Sequence, residues 1–257
     1  MNEPISRRTL LGAGMALAGG LLAEDRMNAE PLAKAKRRVV VWSEGTAPKK
    51  VYPDDINTVI AEGLKPLKDW EVVVASINDP EQGLTADMLD NTNVLIWWGH
   101  QKHGDVKDEL VQRIVKRVKE GGMGFIATHS AHYSKPLKAI LGTNCGWRYY
   151  TDDGAKLDVI VKATTHPIAK GVKDFVVPHT ERYGDPFEVP TAETVIFDGV
   201  YTLADGKTEH AQQGMVWTVG KGRVFYFQPG HEGYPIYFQD DIRQIFRNGV
   251  QWAASKK

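Results

Sequence analysis

At 257 residues, with 32 basic and 32 acidic side chains, the chain has room for one large domain or a domain with a modest subdomain, and its balanced charge excludes the electrostatic footprint of a nucleic-acid binder. A single cysteine, Cys145, excludes an internal disulfide, so stability rests on a buried core.

The first segment reads as a processing signal, with a disordered or uncleaved tail as the plainer alternative. Arg7 and Arg8 precede a weakly apolar, Gly/Ala-rich run from Leu10 to Leu22, and Lys34, Lys36, Arg37 and Arg38 follow. This pattern resembles a twin-arginine export signal, with a small-residue cleavage site near Ala23 or Ala29. The run falls short of the roughly 20 residues that span a bilayer, so no stable membrane span is expected in the mature protein. Residues 1–35 are read as the leader and 36–257 as one domain, exported to the periplasm or secreted.

From Arg38 the pattern alternates between strand and helix. Val39–Trp42 is a β-branched strand, and Ile56, Val59, Ile60, Leu64 and Leu67 recur at helical spacing after Pro53-Asp54. Glu71–Ala75 and Val94–Trp98 read as strands. Asp105 is placed to cap a helix whose apolar face is Val106, Leu110, Val111, Ile114, Val115 and Val118, ended by Gly121-Gly122. Gly124–Thr128 is a short core strand and Ser134–Leu141 a helix. Beyond Gly142 strand-like runs dominate: Leu157–Ala163, Asp174–Val177, Thr194–Phe197, Met215–Val219 and Arg223–Phe227. Ile242, Ile245, Phe246, Val250 and Ala253 define a last amphipathic helix. The expected fold is α/β, flavodoxin-like and doubly wound, with a mostly parallel sheet and added strands in the C-terminal half, some in a small antiparallel addition.

Histidines gather just past three of these strands: His100 and His103, His129 and His132, and His231 beside Glu232. In an open α/β sheet the carboxyl ends of parallel strands share one crevice, so these side chains are expected to meet. Imidazoles gathered in a cleft suit proton transfer or metal binding. Gly124–His132 has the strand, tight turn and helix of a nucleophile elbow, with His129 and Ser130 at the turn. Ser130 reads more readily as a helix-capping residue than as a nucleophile, and Cys145 as an inert buried thiol. Arg148 is placed to hold an oxyanion or pair with Glu181, or to make an ordinary surface ion pair. The Val177–Pro190 segment, with His179, Glu181, Tyr183 and Asp185, reads as a loop that covers the cleft and contributes a general acid, a general base or a metal ligand, or else as a proline-stiffened surface loop. No HExxH or CxxC spacing occurs, so a divalent metal, zinc by preference, held by His100, His132 and His231 stands beside a metal-free acid–base site.

Val41-Trp42-Ser43-Glu44, Trp97-Trp98-Gly99-His100, His129-Ser130-Ala131-His132, Cys145 with Trp147-Arg148, Glu181 through Pro190 and Phe225–Glu232 together resemble the ThuA, or trehalose-utilisation, family. The resemblance covers nearly all of the chain from Arg38 onward. It implies a flavodoxin-like fold related to class I glutamine amidotransferases, with His129 where the amidotransferase cysteine is expected. It also implies carbohydrate catabolism beside an oxidoreductase that produces 3-keto sugars. The expected function is an enzyme acting on a 3-keto-disaccharide or related sugar by His/Glu acid–base chemistry, metal-assisted or not. Catalytic candidates are His132, His231, His129, Glu181 and Arg148; substrate-binding candidates are Glu44, Trp98, His103, Tyr183 and Glu232. A non-catalytic sugar-binding or partner subunit of an exported sugar oxidoreductase is one alternative, and a Ser- or Cys-dependent amidohydrolase another.

Overall fold

The computed structural model describes residues 36–254; the segment read as an export leader lies outside the described residues. Strands β1 (Arg37–Ser43), β2 (Trp70–Ser76), β3 (Val94–Trp98), β4 (Gly124–Thr128), β5 (Trp147–Val161), β6 (Phe175–Phe187), β7 (Thr194–Thr202), β8 (Thr208–Val219) and β9 (Gly222–Phe227) form one sheet in the order β2-β1-β3-β4-β9-β8-β7-β5-β6. The first five in that order are parallel, and every pairing from β9 to β6 is antiparallel.

Helices α1 (Asp55–Leu64) and α5 (Asp240–Ala253) cover one face of the parallel half, while α2 (Ala86–Asp90), α3 (Asp108–Lys119) and α4 (Lys135–Leu141) cover the other. The pleat explains why the central strands are continuously apolar. Val39 and Val41 enter the core with α1 and α5, whereas Val40 and Trp42 enter the opposite core with α3 and α4. Strand order β2-β1-β3-β4-β9 is the flavodoxin arrangement, and its switch point lies between β1 and β3. Among the described residues, no helix is long and apolar enough to cross a membrane.

Three sequence expectations change. The doubly wound sheet with strands added in the C-terminal half is as expected, but the antiparallel addition is not small: β5 to β8 are long strands. The stretch read as a proline-stiffened loop is the outer strand β6 through Phe187. An edge strand leaves one row of N–H positions unpaired, which is where Pro178 and Pro186 are tolerated. Asp105 does not cap α3, because it sits in a separate helical turn, His103–Asp105, and Lys107 holds the cap position.

Candidate active site at the strand ends

β4 runs into His129, whose φ of +48° turns the chain sharply into a short helical turn, His129–Tyr133, and then into α4. This is the elbow expected from the sequence, and its left-handed residue is the histidine itself. Two bonds hold it. The Tyr226 hydroxyl donates to the His129 carbonyl at 2.9 Å, and the Ser130 hydroxyl donates to Gly99 O at 2.6 Å, tying the ends of β3 and β4. Ser130 therefore neither caps a helix nor stands free as a nucleophile. The cap belongs to Ser134, which accepts from the Leu137 N–H. The opposite wall is equally tight: a Cβ on Gly230, just past β9, would lie 2.5 Å from His129 Cβ and 2.3 Å from the Tyr237 oxygen.

Hydrogen bonds fix the ring tautomers. His129 Nδ1 lies 3.0 Å from Gln228 O, and a carbonyl only accepts, so Nδ1 carries a proton. Its Nε2 then faces Glu181 Oε2 at 3.1 Å and the Tyr183 hydroxyl at 3.2 Å, with the Tyr183 ring stacked on the imidazole at 4.8 Å. Burial pushes the Glu181 carboxyl up, but the hydrogen bond and charge of His129 outweigh it and hold the group below the usual range. Glu181 and His129 thus share a proton. His129 has no exposure, whereas Glu181 keeps 12% of its side chain open, so the glutamate reaches the cleft and the histidine supports it from behind.

His231 has the opposite tautomer. The Gly233 N–H donates to its Nδ1 at 2.9 Å, so the neutral ring carries its proton on Nε2. That Nε2–H lies between Asp152 Oδ2 at 3.6 Å and Glu232 Oε1 at 3.7 Å. Burial lowers the pKa of His231, which favours the neutral donor form. Glu232 Oε1 also meets His100 Nε2 at 3.3 Å. The His129 and His231 rings approach to 5.9 Å, so clusters far apart in sequence converge as expected.

The remaining candidates separate into supports and bystanders. Glu44 is fully buried, and its Oε2 accepts the N–H groups of His100 at 2.8 Å and Gln101 at 2.7 Å, shaping the β3 loop; Oε1 faces His103 Nδ1 at 3.7 Å. His132 donates from Nδ1 to Cys145 O at 2.6 Å, and burial lowers its pKa to about 4, so it is neutral at ordinary pH. Trp98 is wholly buried in the α1/α5 core with its ring 6.2 Å from His100, which removes it as a substrate platform. Arg148 is exposed and lies over the Tyr149 ring at 5.2 Å, while Glu181 is paired with His129, so the expected Arg148–Glu181 pair is not formed. Arg182 is the buried arginine here, and it is engaged by Asp153 at 2.7 Å and by Glu209. Cys145 is buried, and burial pushes its thiol up.

His100, His132 and His231 do not make a metal site. Among the described residues, no three His, Cys, Asp or Glu side chains are arranged to hold an ion. His231 is also chemically unsuited: a neutral imidazole that accepts an N–H at Nδ1 has no lone pair left at Nε2. Asp152 was not among the residues read from the sequence. Its local signal is the Asp152-Asp153-Gly154 run, where the β5–β6 register shifts and Gly154 takes a φ of +64°.

Five parallel strands in flavodoxin order, helices on both faces and acid–base side chains beyond the strand ends define a doubly wound α/β protein with an antiparallel extension. The chain belongs to the ThuA family, described as trehalose utilisation, whose model matches residues 38–253. A ThuA-like protein from Bacteroides uniformis is 16% identical over 88% of this chain and 94% of its own, with a TM-score of 0.61. A β-galactosidase from G. stearothermophilus is 12% identical over 81% of this chain and 28% of its own, with a TM-score of 0.50. A glutamine amidotransferase from Thermotoga maritima is 16% identical over 76% of each chain, with a TM-score of 0.47. No curated protein sequence matches the chain significantly.

Proposed function

We propose that this protein is a carbohydrate-catabolism enzyme that performs acid–base chemistry on a 3-keto-disaccharide or related keto-sugar. Membership of the trehalose-utilisation family supports the substrate class. The observation that carries the chemistry is the opposition of two groups across the strand ends: the Glu181 carboxylate, backed by His129, and the His231 Nε2–H.

A ketone at C3 acidifies the C2–H bond. Glu181 takes that proton, the C–H electron pair moves toward C3, and the oxygen that gains charge accepts a hydrogen bond from His231 Nε2. Collapse of the enolate breaks the bond from C1 to its substituent, and the departing oxygen takes the proton that Glu181 removed from C2, so an alcohol leaves, Glu181 returns to the carboxylate and the step is an elimination. The residues present do not fit a metal at His231, and no step is routed through one. The nucleophile chemistry of an amidohydrolase has little support, since the Ser130 hydroxyl is bound to Gly99 O and the Cys145 thiol is buried. A 3-keto substrate requires a sugar oxidoreductase to supply it. The twin-arginine leader would set this pathway in the periplasm or outside the cell.

The test is exchange of the C2 proton of a 3-keto-disaccharide in D2O, followed by NMR, for the parent and Glu181→Gln. General-base loss predicts a fall of about 10²- to 10⁴-fold in exchange and elimination. Parent-like exchange by a folded Glu181→Gln variant defeats the proposal. Sugar binding without exchange by the parent favours the partner-subunit reading.

A further inference from the structure

His231 Nε2–H points into a gap between two carboxylate oxygens, each too far for a direct hydrogen bond: Asp152 Oδ2 at 3.6 Å and Glu232 Oε1 at 3.7 Å. One donor flanked by two acceptors is the complement of a sugar carbonyl that stands between two hydroxyls. The C3 oxygen accepts from Nε2–H, and the hydroxyls on either side of it donate to the two carboxylates. Asp152 is held for this role by its second oxygen, which accepts from the Tyr234 hydroxyl at 3.0 Å. The β5 register shift brings it there, and half of its side chain remains open to solvent.

The same arrangement repels anions. Glu181, Glu232 and Asp152 put three carboxyl groups around the two central histidines. The buried guanidinium nearest in sequence, Arg182, is already paired with Asp153 and Glu209. A phosphate or carboxylate on the sugar would enter a field of its own sign, and among the described residues no free buried arginine is there to meet it.

We infer that Asp152 is a specificity-determining residue: with His231 and Glu232 it forms a hydroxyl clamp for neutral sugars and rejects phosphorylated or acidic ones. This rests on the acid–base reading of the same site but concerns recognition, so binding and turnover test the two separately. Calorimetry with 3-ketotrehalose and its 6-phosphate, on the parent, Asp152→Asn and Asp152→Glu, provides the test. The parent is expected to prefer the neutral sugar at least tenfold, roughly the effect of one partly screened charge. Asp152→Asn weakens neutral-sugar binding several-fold and narrows the preference by about tenfold, and Asp152→Glu restores it. A parent that binds the phosphate equally well, an unchanged preference in Asp152→Asn, or no binding of the neutral sugar overturns the inference. If the neutral sugar binds as described but its C2 proton never exchanges, the clamp stands and the catalytic reading falls.

Discussion

Gly230 packs directly against the His129 elbow, and replacing it with alanine tests whether the elbow needs that closeness. The added methyl would sit 2.5 Å from His129 Cβ and 2.3 Å from the Tyr237 oxygen. Carbon atoms in contact rest about 3.5–4.0 Å apart, so the elbow or the loop after β9 must retreat by about 1 Å. Overpacking of this kind costs about 1–3 kcal/mol, and the displacement separates His129 from Glu181. Gly142→Ala is the matched control: its φ is +72° with open space around it, so its penalty is backbone strain of about 1 kcal/mol without movement of the site. Urea unfolding and C2–H exchange together read both effects. Gly230→Ala should lose stability and activity, and Gly142→Ala stability alone. A Gly230→Ala protein within about 0.5 kcal/mol of the parent and fully active would refute the packing reasoning.

Two further outcomes concern buried titratable groups. Burial holds His132 at about pKa 4 in the folded chain against 6.5 for the free group, so the unfolded state takes up the proton first. Its stability contribution is therefore full above about pH 6.5 and declines toward pH 4, by about 3 kcal/mol in all. Urea titrations at several pH values should show that decline reduced in His132→Gln; an identical slope in the two proteins would argue against it. Cys145 is buried with its thiol pushed up, so maleimide should label it only as fast as the chain opens. Rapid labelling of the native protein would contradict this placement.

Much of the parallel half was legible because its strands are short, continuously apolar and separated by helices of clear period, as Val39–Trp42, Val94–Trp98 and Gly124–Thr128 show. The elbow could be read for the same reason, since a buried strand that meets small residues and then a helical pattern must turn sharply between them. The antiparallel half resisted. β5 and β6 carry charges and prolines on positions that face solvent or an open edge, and β6 in particular lacks the apolar alternation that marks a strand. The residues of the site followed this division. His129, His231 and Glu232 lie at ends of core strands and were found, while Asp152 depends on a shift in register that no periodicity reveals. Arg148 and Trp98 were misplaced because spacing does not say which way a side chain on an irregular strand turns, or how deeply an aromatic is sunk in a three-layer core.

The neighbouring strands β4 and β9 are separated in the chain by the whole antiparallel extension, and their register pairs Phe125 with Val224. Joining them closes a loop of nearly a hundred residues, a contact that is entropically costly and slow to form. His129 belongs to the early side of that closure, and Gln228, Gly230 and His231 to the late side. The elbow acquires its proton arrangement only when the last strand docks, which makes assembly of the site a reporter of the completion of folding rather than of its beginning.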